Sequence, residues 1–150
     1  MLIFRKHKGN KLLRYSIVKI RTHKKYLKIK KREAFVDQIA AIMDDIDPVG
    51  IIFSAKAAGF DYDQEDREYT PEAKRIVTQL KRWNSIHSLE IGLQQIFDYY
   101  FDYPDVAQEY YQLMARRLWN LMLVNKGKEP IKFQDDIQLP EHLPPIVIYV

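Results

Sequence analysis

Residues 47–101 read DPVGIIFSAKAAGFDYDQEDREYTPEAKRIVTQLKRWNSIHSLEIGLQQIFDYYF, and the reading of this stretch decides the fold. Thr70-Pro71-Glu72 carries three marks of a helix start: a hydroxyl at the N-cap, a proline at the first helical position and a carboxylate in the first turn. Ala73, Ile76, Val77, Leu80 and Trp83 then recur at helical spacing. Lys81 and Arg82 stand in the last turn, where cations suit the helix dipole. Asn84-Ser85 breaks the pattern, and Ser85 or Ser88 caps a second helix. Its stripe is Leu89, Leu93, Ile96, Phe97 and Tyr100. Two amphipathic helices joined by so short a break turn their apolar faces toward a common core. The chain is therefore read as mainly α.

The flanks extend this pattern. Phe35, Ile39, Ile42, Met43 and Ile46 recur at three and four, giving a helix over 33–45. Pro48 ends it, because the residue before a proline is pushed out of the α region. Asp44, Asp45 and Asp47 crowd its negative end, which the dipole disfavours. Asp47-Pro48 is expected to start a short helix, with Asp47 as N-cap, Pro48 at the first position and Gly59 as its stop. Residues 61–68 are acidic and aperiodic, and read as an exposed loop. Beyond Tyr103-Pro104-Asp105, the positions Ala107, Tyr110, Met114, Leu118, Leu121 and Met122 predict a long helix to Asn125, closed by Gly127. Residues 128–150 hold four of the seven prolines and are expected to lie extended across the body, with Ile146-Val147-Ile148-Tyr149-Val150 docked on apolar surface.

Charge divides the chain more sharply than the net +4 suggests. Residues 1–32 carry thirteen Lys and Arg and no acid, leaving eleven bases against all twenty acids in the remainder, a net of −9. Within the arm, helical spacing over 11–31 is favoured over a hairpin pairing 2–7 with 12–20. The 150 residues are read as one domain: a basic arm (1–32), a body of four to five helices (33–127) and an extended tail (128–150). The absence of cysteine excludes disulfides, thiolate nucleophiles and cysteine-based zinc sites. No apolar run reaches the roughly 20 residues of a membrane helix, and no secretory signal pattern is present. No membrane association is expected, and the protein is read as cytoplasmic.

At Asp47-Pro48, Glu68-Tyr69, Glu72-Ala73, Ile76, Leu80, Ser88-Leu89, Ile96-Phe97 and Phe101, the sequence resembles a small bacterial domain family of unknown function over residues 36–103. That family reads Trp-Asp-Pro, then Tyr-x-x-Glu, then a helix ending in paired phenylalanines. Here Ile46 stands where the tryptophan precedes Asp-Pro, and the following loop is long. The resemblance implies an all-helical fold and a bacterial source, and carries over no functional residue.

Candidate sites follow from residue chemistry. Asp61, Asp63, Glu65 and Glu72 match positions of a calcium loop, but Asp66 occupies the position where the sharp turn needs glycine. A solvated acidic loop is the better reading. His7, His23, His87 and His142 form no paired ligand motif and are read as surface residues. No nucleophile elbow, P-loop or dinucleotide fingerprint occurs, so no catalytic residue, metal or cofactor is assigned, and the balance leans away from an enzyme. Tyr100 and Tyr110 are placed on core faces, while Asp98, Tyr99 and Asp102 fall on the other side of their helix. The leading expectation is binding of another protein, in the manner of an immunity protein or regulator, through Asp61, Asp63, Glu65, Asp66, Asp98, Tyr99 and Asp102. The alternative is nucleic-acid binding through Arg21, Lys24, Lys25, Lys28, Lys30, Lys31 and Arg32.

Overall fold

The computed structural model describes residues 11–60 and 67–142, with the backbone alone for residues 11–21. Among them run five α-helices and no strand: α1 (Lys11–Ile46), α2 (Ile51–Ala57), α3 (Thr70–Gln79), α4 (Ile86–Phe101) and α5 (Gln108–Asn125). A 3-10 turn, Leu80–Arg82, extends α3 and takes the two cations expected in its last turn. The protein is mainly α. None of its described helices is long and apolar enough to cross a membrane.

Two units divide the chain, Met1–Ala34 and Phe35–Val150. The arm helix and the body helix, expected as separate elements, are one helix. Lys31-Arg32-Glu33-Ala34 contains neither proline nor glycine, and Lys, Arg, Glu and Ala are all good helix formers, so nothing interrupts the backbone ladder. In the first unit, residues 22–34 are all exposed.

The second unit contains the core. Ile39, Ala40 and Met43 of α1, Ala73 and Ile76 of α3, Leu89, Leu93 and Phe97 of α4, and Met114, Ala115 and Leu118 of α5 are buried together. α4 packs along α5, and α3 against α4. Phe97 sits at the centre of an aromatic group, 5.5 Å from the Phe101 ring, 6.0 Å from Tyr69 and 6.0 Å edge-on from Tyr111. Rings at these separations add to the stability given by their burial.

Local signals set the helix ends, with three corrections. Ser85 caps α4, accepting from the Ser88 amide at 3.1 Å, while the Ser88 hydroxyl accepts from the Ser85 amide at 3.1 Å. α5 closes with Gly127 at φ +71° and the Lys128 amide donating to the Leu123 carbonyl at 2.8 Å. Thr70, by contrast, does not cap α3. Tyr69 holds that position, Thr70 is the first helical residue, and its hydroxyl donates to the Arg67 carbonyl. Asp47 and Pro48 likewise precede α2, whose N-cap is Gly50. Tyr100 is exposed rather than buried, and Phe101 packs against the core in its place, because the stripe drifts by one residue in the last turn.

Residues 128–142 of the tail form neither helix nor strand and lie against α5. Asn120 takes both backbone groups of Ile131, Arg116 grips the Asp135 carboxylate at 3.0 and 3.1 Å while lying over the Phe133 ring, and Tyr110 donates to the Pro140 carbonyl. The arm's residues 1–10, the loop 61–66 and the apolar terminus 146–150 lie outside the described residues.

One close approach has a testable consequence. Gly92 faces the Trp83 indole, and a Cβ placed there would lie 2.3 Å from ring atoms. Gly92→Ala is expected to lower stability by about 1–3 kcal/mol through overpacking, despite alanine's higher helix propensity. Thermal unfolding of Gly92→Ala beside Gly92→Ala/Trp83→Leu checks this: the second change should recover part of the loss.

Candidate functional site

Asp47 stands at the junction of α1 and α2. It leaves α1 with φ +51°, and this turn swings its carboxylate toward the first turn of α2. Oδ1 accepts from the Ile52 amide at 3.1 Å and Oδ2 from the Phe53 amide at 2.8 Å. It thus satisfies two orphan donors of α2 from outside the helix, although it is not the N-cap residue. Oδ1 also accepts from the Tyr69 hydroxyl at 2.7 Å, and that hydroxyl accepts from the Val49 amide at 3.3 Å.

The neighbouring acids are engaged too. Asp44 accepts from the Tyr69 amide at 3.3 Å and lies 3.9 Å from Arg67, whose Nε also reaches Asp37 at 3.2 Å. Asp45 pairs with Arg117 of α5. The acids that looked misplaced at the end of α1 therefore each meet a donor from elsewhere in the chain.

His142 corrects the expectation that the histidines are surface residues. It is half-buried, stacked 5.1 Å from the Tyr110 ring, with Nε2 2.6 Å from the Asp47 carbonyl. A carbonyl only accepts, so Nε2 carries the proton. The ring crowds Gly50, where a Cβ would sit 3.2 Å from Nδ1, and Gly50 has φ +72° as well, which a side chain would strain. His23 and His87 are exposed. Glu90 accepts from Gln108.

A cavity of about 570 Å³ opens beside this junction, lined by Asp44, Asp45, Asp47, Phe53, Lys56, Arg67 and others. Its three carboxylates are already bonded within the protein. Among the described residues no group of three ligating side chains is arranged for a metal ion. The junction's chemistry is therefore that of a polar clasp holding α1, α2, α3 and the tail.

Burial governs the titratable groups here. It pushes the Tyr69 hydroxyl far above its ordinary range, helped by the bond to Asp47. Tyr111 is raised to about 12 by burial and then by the Asp98 charge. The Glu72 carboxyl is also raised by burial, and its Oε2 has no hydrogen-bond partner among the described residues.

Of the expected protein-binding residues, Asp98, Tyr99 and Asp102 come together at the C-terminal end of α4. Asp61, Asp63, Glu65 and Asp66 lie outside the described residues. Tyr99 is 81% exposed and Asp102 exposed, while Asp98 is half-buried. Tyr103, not singled out by spacing, is 80% exposed beside them. Asp102 and Tyr103 have φ +52° and +55°, two consecutive non-glycine residues in the left-handed region. In the alternative set, Lys24, Lys25, Lys28, Lys30, Lys31 and Arg32 are exposed on α1, and the Arg21 side chain lies outside the description. Comparison of the chain with family models, curated proteins and solved structures finds no match.

Two measurements test the junction. Tyr69→Phe leaves the Val49 amide and one Asp47 oxygen short of a partner, and should cost about 1–3 kcal/mol in urea unfolding. Glu72 gives a pH signature. Because its folded-state value lies above the ordinary 4.5, its contribution is fully present below that value and is lost as pH rises through the raised one. Glu72→Gln should therefore be more stable than the parent at neutral pH, by about 1 kcal/mol. It should also lack that part of the decline in a series of urea midpoints against pH.

Proposed function

We propose that the chain is a non-enzymatic binding protein that takes a cationic protein partner on the acidic, tyrosine-bearing surface at the end of α4. The observation that carries this reading is the pair Tyr99 and Tyr103, standing exposed among Asp98, Asp102 and Asp105. Residues 98–109 contain four acids and no base. The last turn of α4 contains no basic residue either, so Asp98 and Asp102 add to the negative end of its dipole instead of offsetting it. That arrangement costs helix stability, as does the left-handed backbone at Asp102 and Tyr103, at about 1–2 kcal/mol per residue.

Features that oppose folding stability at an exposed place are expected where a surface serves binding. Tyrosine brings large contact area with few rotatable bonds, and the surrounding carboxylates steer and select a basic partner. An immunity-type neutraliser or a small regulator fits this charge logic. The lack of cysteine supports a reducing compartment, and we read the protein as cytoplasmic.

The test is a chemical-shift titration of the full chain with a lysine- and arginine-rich peptide bearing a central aromatic residue. Shifts should concentrate at residues 98–105. Tyr99→Ala should weaken binding by about 2 kcal/mol, roughly thirtyfold, and Asp102→Lys should slow association. Shifts elsewhere on the body, or unchanged affinity in Tyr99→Ala/Asp102→Lys, would sink the reading.

A further inference from the structure

We infer that one face of α1 is a binding surface for the phosphate backbone of a nucleic-acid duplex, and that five side chains make it: Lys24, Lys25, Lys28, Lys31 and Arg32. All five are exposed. At about 100° per residue they fall within an arc of about 120° on the helix, and they span about 12 Å of its length. Lys30 falls outside that arc, where it pairs with Glu33 at 3.4 Å and lies 5.5 Å from the centre of the Tyr26 ring. None of the five has an ion-pair partner among the described residues. Among its described side chains the helix thus divides its cations: Lys30 is held within the chain, and five stand together with no ion-pair partner.

The spacing sharpens the point. Lys24 and Lys28, Lys25 and Lys28, Lys28 and Lys31, and Lys28 and Arg32 are like charges three or four positions apart, each of which weakens a helix. Bound polyanion would turn this repulsion into attraction, with release of condensed counterions as the driving force. The opposite side of the helix argues against a membrane surface. Tyr26, Leu27 and Ile29 are exposed there, but His23, Lys30 and Glu33 lie among them, so there is no continuous apolar face to enter a bilayer. A single exposed helix, by contrast, is what the major groove of a duplex admits. None of these five residues belongs to the acidic set at the end of α4, so either proposal can fail alone.

The experiment is fluorescence anisotropy of a labelled random-sequence duplex with the full chain, across salt from about 50 to 200 mM. Parent protein should bind, with log affinity falling steeply against log salt. Replacing all five residues by Gln, which preserves helix propensity, should reduce the slope by about 4.5 and abolish binding at the upper salt limit. Circular dichroism would show that helix content is kept. Two single variants test the face rather than the total charge: Lys28→Gln should reduce the slope by about 0.9 and Lys30→Gln should leave it nearly unchanged. No duplex binding at the lowest salt, an unchanged slope in the five-residue variant, equal effects of Lys28→Gln and Lys30→Gln, or preference for phosphatidylserine vesicles over duplex would each overturn the inference.

Discussion

The Tyr69 hydroxyl and the Asp47 carboxylate meet at 2.7 Å in a buried space, and most of the body depends on that bond. Asp47 ends α1, feeds two amides of α2, accepts from the residue that caps α3, and offers its carbonyl to His142 of the tail. A carboxylate at the negative end of one helix is unfavourable, and the same carboxylate at the positive end of the next is favourable. The left-handed turn at Asp47 converts the first situation into the second. Its backbone cost is offset by three hydrogen bonds to one buried charged group, each stronger than a neutral pair.

Once that junction is made, the aromatic core follows. Tyr69 is fully buried, and its ring reaches Phe97 and Phe101, which join α4 to the start of α3. The tail is held by side-chain contacts to α5 and by the His142 ring on Tyr110. Acidic tyrosine-bearing chain ends α4, and a cationic face lies on α1. In both places charge is set against helix stability, by carboxylates at a negative helix end and by like charges three or four positions apart.

The helices were legible because their causes are local. Thr70-Pro71-Glu72, the Ser85/Ser88 capping box and Gly127 mark ends through neighbours within four residues, and apolar spacing marks faces in the same range. Where the reading failed, a competing local option existed. Thr70 turned its hydroxyl back to Arg67 instead of capping, and Tyr100 yielded the core to Phe101 as the apolar stripe drifted by one residue in the last turn. The break expected between arm and body came from a change in charge, and charge alone does not stop a helix that has neither proline nor glycine.

By itself the sequence determined a mainly helical chain, the division of charge between arm and body, and the exposure of Tyr99. Only tertiary structure decided that Asp44, Asp45 and Asp47 are each partnered, that His142 is half-buried, that Glu72 is buried with one oxygen unpartnered among the described residues, and that Tyr103 stands out beside Tyr99. The reason is one of range. Periodicity and capping are set by residues a turn apart, whereas the bond between Asp47 and Tyr69 joins positions 22 apart. Its existence depends on how three helices pack, and no local pattern encodes that.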